Sequence, residues 1–167
     1  MEIVELHKEN LPEYKAFILR ALSEHPENFR ISVEDERYAN FPTRSEPDSF
    51  TLAARNEENQ LMGIVSFQRD GENRSKIRHK GLLFRMYVAE EFSGMGIGKA
   101  LIEELLSRVR KLDNMEQVNL SLVTTNIRAR HLYTRFGFET FGVERKAHKS
   151  GKNYYDEEFM VLYLKKT

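Results

Sequence analysis

Cysteine is absent from this 167-residue chain, proline occurs only four times, and neither sign of charge predominates. The missing cysteines exclude disulfides, thiolate nucleophiles, covalent acyl-cysteine intermediates and cysteine-based metal sites, and no metal is expected. Formal net charge is zero, from 26 basic and 26 acidic residues. No global field therefore draws the chain to nucleic acid or to an anionic membrane. No apolar run approaches the ~20 residues needed to span a bilayer. The opening stretch, MEIVELHKEN, is charged and alternating, unlike a signal peptide, so the expected location is cytoplasmic. What is present, 40% hydrophobic and 31% charged residues, fits one globular domain over residues 1–167.

Apolar spacing orders the chain as β-α-α-β-β-β-α-β-α-β-β. A short strand over 2–7 precedes a helix capped by Asn10, with Pro12 in its first turn, where a missing N–H costs nothing. A poorer helix is expected over 27–39, followed by loop. Strands over 50–55 and 60–68 flank a tight Asn-Glu-Glu-Asn connection, which signals a β-hairpin, and a third strand covers 80–89. Helix 97–112, strand 117–124, helix 126–136 with Gly137 as its C-cap, and strand 138–144 follow. Residues 145–153 are expected as loop before a long final strand over 154–164. The fold class implied is α/β, a mixed sheet with helices on both faces in three α/β/α layers.

The densest punctuation is Ser93-Gly94-Met95-Gly96-Ile97-Gly98-Lys99, between the third meander strand and a helix. Alternate glycines let the backbone curl with its N–H groups inward, and the helix start adds positive potential, which suits a phosphate or pyrophosphate. The mononucleotide loop GxxxxGK[ST] fails here, because Ser93 stands where its first glycine belongs and Ala100 where its hydroxyl belongs. The dinucleotide fingerprint GxGxxG fails at Lys99, its third glycine position. The basic stretch Arg74–Lys80 lies at the opposite end of the preceding strand, roughly 25 Å away, too far to clamp the same anion.

The element order, this loop, and the later Asn126, Ala129, Tyr133 and Gly137-Phe138 together resemble the GNAT N-acetyltransferase superfamily over the whole chain. In the loop motif Gly96 and Gly98 take the small positions and Ile97 the apolar one. Ser93 departs from the usual Arg or Gln. The resemblance implies acetyl-CoA as co-substrate, its pyrophosphate held by Ser93 to Lys99 and its pantetheine arm lying in a gap where strand residues Met86, Tyr87 and Val88 splay from strand 117–124. It further implies contacts from Asn126 and Ala129, with Tyr133 reaching the sulfur.

Amine acetylation needs a neutral amine, a stabilised thioester oxygen and a protonated leaving thiolate. An alkylammonium of pKa ~10.4 is only about one part in 10³ neutral at pH 7, so a base assists. Without cysteine, direct attack on the thioester is expected. Tyr133, a phenol protonated at neutral pH, is the expected general acid. A backbone N–H near Val88 or Tyr87 is the expected oxyanion donor. Glu36 is taken as the base, from candidates that include Glu34, Asp156, Glu157 and His79. The acceptor is a primary amine of a small molecule or peptide, and the acidic and aromatic residues Glu34, Glu36, Tyr38, Phe41, Tyr154 and Tyr155 favour a cationic one. A non-catalytic acyl-CoA-binding sensor on the same scaffold is the alternative. The final strand or outer helices could support a homodimer.

Overall fold

The computed structural model describes residues 1–164, so the last three residues of the expected 1–167 domain lie outside it. Seven strands form one sheet in the order β1-β2-β3-β4-β5-β7-β6. They are β1 (Glu2–Leu6), β2 (Ser49–Arg55), β3 (Leu61–Arg69), β4 (Lys80–Val88), β5 (Gln117–Val123), β6 (Glu139–Ser150) and β7 (Asn153–Tyr163). Among the described residues four α-helices connect them: α1 (Leu11–Glu24), α2 (Val33–Tyr38), α3 (Ile97–Val109) and α4 (Ile127–Arg135). The element order is the one read from the sequence.

Two apolar cores lie on opposite faces of the sheet. Leu101, Leu105 and Val109 of α3 and Tyr133 of α4 pack with Val65, Phe67, Leu83, Leu120 and Met160 on one face. Tyr14, Phe17, Ile18 and Leu22 of α1 pack with Ala53, Ile64, Tyr87 and Ala89 on the other. The periodicity of α1 and α3 predicts these stripes.

Three local expectations are corrected. The expected helix over 27–39 shortens to α2, because Phe29 to Ser32 run irregularly and Ser32 forms a capping box with Asp35. The Ser32 hydroxyl oxygen accepts the Asp35 N–H at 3.1 Å. The expected loop over 145–153 is mostly strand: β6 continues to Ser150 and turns back through Gly151, at φ +60. Its pairing comes from backbone bonds to β7, with a bulge between Glu144 and His148, so its mostly polar side chains gave no apolar alternation. Asn10 precedes α1, but its side chain accepts the His7 N–H at 2.9 Å instead of capping the helix.

The feature that positions the site is a divergence between neighbouring strands. β4 and β5 pair in parallel only at Lys80, Gly81 and Leu82, opposite Gln117, Val118 and Asn119. Beyond Leu82 the two strands separate, and the sheet opens between them.

Candidate functional site

A cavity of about 1150 Å³ fills this opening and continues onto both faces of the sheet. Ligand pockets commonly occupy ~300–1,000 Å³, so the space suits a large ligand together with a smaller one. On one side it is bounded by the glycine loop, the start of α3 and the inner face of α4. On the other it is bounded by His25, Phe29, Arg30, Arg85, Glu157 and Phe159.

Most of the sequence-predicted residues come together here. Met86, Tyr87 and Val88 line the cavity from β4, and Ser93, Gly94, Gly96, Ile97, Gly98 and Lys99 from the loop and α3. Asn126, Ala129 and Tyr133 line it from α4. Met95 does not; its side chain is exposed and is not among the lining residues. Glu36, Glu34, Asp156 and His79 are not among the lining residues, whereas Glu157 is.

The loop's geometry follows from its glycines. Gly94 and Gly96 adopt φ +80 and +78, left-handed values that cost a side-chain-bearing residue about 1–2 kcal/mol. Nothing lies within 4 Å of a Cβ built at either position, so the space beside them is open and only the backbone conformation demands glycine. Gly98 sits in close approach to two side chains. A Cβ there would sit 3.0 Å from Leu132 Cδ2 and 3.2 Å from Met86 Cε. The amides at the start of α3 therefore face an open, positively polarised concavity.

Backbone alternation shows which amide of the splayed strand is turned away from β3. The Ala89 N–H bonds the Met62 carbonyl at 2.9 Å, while Val88 stands opposite Gly63 in register. In an antiparallel pair neighbouring residues alternate between bonding the partner strand and pointing away from it. The Val88 N–H therefore points away from β3, into the gap that β5 has left.

Tyr133 sits on the α4 wall, nearly buried, with its ring edge-on to Phe138 at 5.7 Å. Burial pushes its phenol above the ordinary value. Asn126 is the N-cap of α4, its side-chain oxygen accepting the Ala129 N–H at 3.1 Å, and Gly137 ends the helix at φ +91. These two caps fix the turn that presents Tyr133.

On the opposite wall the Tyr87 hydroxyl donates to Glu24 at 3.1 Å, and burial and that carboxylate push the phenol up to about 12. Glu157, only 3% exposed, is bonded by the Arg30 guanidinium, which also lies 3.5 Å from Glu144 and over the Phe159 ring.

Glu36 lies behind this wall rather than in it. It is fully buried, and Arg85 Nη1 donates both to its Oε2 at 2.7 Å and to the Tyr14 hydroxyl oxygen at 2.9 Å. Arg85 is the residue that sequence reading missed. Strict alternation along LLFRMYV puts it on the α3 face with Leu83. Instead a bulge between the Ser66 and Ile64 pairings, with Arg85 at φ +52, swings it to the α1 and α2 face. The available signal was a lone arginine in an otherwise apolar strand.

The family model described as Acetyltransferase (GNAT) family matches residues 8–138. The chain belongs to the GNAT acetyltransferase family. Among curated relatives, spermine/spermidine N(1)-acetyltransferase of Bacillus subtilis is 35% identical over 60 residues, 36% of this chain and 40% of that protein. Mycothiol acetyltransferase of Propionibacterium freudenreichii is 28% identical over 124 residues, 74% of this chain and 38% of that one. The matched stretches thus span about two fifths of these relatives' lengths. A GNAT superfamily phosphinothricin acetyltransferase from Sinorhizobium meliloti, solved in complex with AcCoA, shares the fold. It superposes with TM-score 0.81 at 20% identity, covering 98% of this chain and 88% of that one.

Proposed function

We propose that this protein is an acetyl-CoA-dependent N-acetyltransferase that acts on a primary amine by direct transfer. The observation that carries the reading is the separation of β4 from β5 beyond Leu82, directly beneath a glycine loop at a helix start. The residues present fit the co-substrate. Open space beside the left-handed Gly94 and Gly96 accommodates a pyrophosphate against the amides of Gly96 to Lys99. The unpaired edge of β4 offers backbone groups to an amide-bearing arm, and Asn126 and Ala129 bound the same gap.

When bound, acetyl-CoA supplies an acetyl group activated as a thioester. The Val88 N–H, fixed by the β3 ladder and aimed into the gap, donates to oxygen that gains negative charge. Tyr133 holds a proton on its phenol throughout the neutral range, because burial disfavours its ionised form, and delivers it to the departing sulfur. Glu157 takes the place expected of Glu36. It is the one carboxylate among the sequence candidates that lines the cavity, and it receives the proton of the attacking amine.

Thiol release from acetyl-CoA across a panel of primary amines tests the reading. Turnover that falls steeply in Tyr133→Phe supports the enzyme. Tight acetyl-CoA binding without turnover for any amine overturns it in favour of a sensor.

A further inference from the structure

The acceptor wall contains a guanidinium only part of whose donors are used. Arg85 lines the cavity, and both of its side-chain bonds, to Glu36 and to Tyr14, pass through a single nitrogen, Nη1. Guanidinium carries five N–H donors in a planar fork. Among the described residues, Nε and Nη2 of Arg85 have no partner. Water or a ligand must satisfy them, and the side chain is 18% exposed where the cavity meets it.

Charge around Arg85 is arranged with its positive end toward the cavity. The compensating carboxylate of Glu36 is fully buried and lies outside the lining, as the acidic partner behind the guanidinium. Two of the acidic residues that suggested a cationic acceptor are each paired with an arginine: Glu36 with Arg85, and Glu157 with the half-exposed, cavity-lining Arg30. The aromatics expected around it, Tyr38, Phe41, Tyr154 and Tyr155, are not among the lining residues, and Tyr38 and Tyr154 are largely exposed. Glu157, Arg30 and Arg85 all border the same cavity.

The bulge gives Arg85 this role. A left-handed conformation at an arginine is a cost that a regular strand would avoid, and the Glu36 and Tyr14 bonds hold it there. With a regular pleat the side chain would enter the α3 core, where a charge has no partner. We propose that Arg85 is the subsite for a carboxylate on the acceptor, so that the preferred substrates are amines that also carry a carboxylate, of the amino-acid type. This rests on the acetyltransferase reading above and names the acceptor class for the same site. The acceptor's carboxylate takes the free donors of the Arg85 fork, in the planar geometry that suits two oxygens, and its amine faces the thioester.

The test uses the full chain and thiol release, with acceptors in matched sets: an amino acid, its primary amide and its decarboxylated amine, at several amine-to-carboxylate spacings. At one or more spacings the carboxylate form is expected to have kcat/KM higher by about 10- to 100-fold, mostly through acceptor KM. Arg85→Gln abolishes that preference, Arg85→Lys keeps part of it, and KM for acetyl-CoA stays unchanged. Because Arg85→Gln strands the buried Glu36, the double variant Glu36→Gln/Arg85→Gln is measured too and must lose the same preference, whereas Glu36→Gln alone keeps it. Amides or decarboxylated amines that match or exceed the carboxylates at every spacing overturn the subsite and leave the acetyltransferase reading standing. So does a preference that survives in the double variant. Absence of thiol release with every amine overturns both.

Discussion

Leu82 of β4 pairs with Asn119 of β5, and no residue of β4 beyond Leu82 has a partner on β5. That last pair marks the apex of a wedge whose walls are a strand edge and a helix start. The Val88 N–H and the left-handed Gly96 border the same opening, so under the proposed function coenzyme affinity should depend on backbone conformation more than on any side chain.

Gly96→Ala forces a side chain into φ +78 and is expected to cost about 1–2 kcal/mol locally, either as stability or as a reshaped loop. Calorimetric titration with acetyl-CoA should show affinity about tenfold weaker. Gly142→Ala, with open space at its Cβ and no left-handed requirement, is the matched control and should bind as the parent does. Equal affinities in all three proteins would remove the loop from coenzyme binding.

Tyr133→Phe keeps the ring that packs on Phe138 and deletes only the phenol. Turnover is expected to fall about 10²- to 10³-fold, with acetyl-CoA affinity and melting temperature nearly unchanged. Since burial raises this phenol above its ordinary value, the alkaline limb of the rate profile below pH 10 should not report its ionisation.

Glu157→Gln and Glu36→Gln should fail in different ways. The first removes a carboxylate from the cavity wall and is expected to lower kcat by roughly 10²-fold in a protein that remains folded. The second leaves Arg85 without its buried counter-charge and is expected to cost about 3–5 kcal/mol of stability, read by denaturant titration. Neutralising both residues together should recover much of that loss. A Glu36→Gln protein of normal stability with abolished turnover would restore Glu36 to the chemistry.

Alkaline stability carries the signature of the buried tyrosines. Burial pushes Tyr14 up to about 12 and Tyr87 up to about 12, from an ordinary 10.0. Above pH 10 the unfolded chain releases protons that the folded chain still holds, so stability present below pH 10 is lost as pH rises toward 12. Melting temperature should decline across that window, and the decline should be shallower in Tyr14→Phe. A native-state absorbance titration in which all seven tyrosines ionise together near pH 10 would contradict this.

Much of the site was legible because its decisive features are local. Glycines at alternate positions before a helix and Gly137 behind Phe136 each act within a turn or two of chain, and their backbone roles were read from residue type alone, whereas the Asn126 cap on Ala129 came from the structure. The loop over 145–153 was misread for the opposite reason. A mostly polar strand held by ladder bonds to its neighbour has no apolar alternation to betray it.

The sequence by itself determined the order of elements, the apolar faces of α1 and α3, and a glycine-rich turn at the start of α3, since each rests on periodicity or on what glycine and proline permit nearby. Only the tertiary structure decided which charges reach the cavity. One left-handed residue, Arg85, reverses the face parity of β4, so the arginine leaves the face that regular alternation assigns it. Its partner Glu36 lies 49 positions away in the chain, and an ion pair across that separation has no local pattern. That bond forms because a buried guanidinium and a buried carboxylate must find each other once the sheet and α2 enclose them.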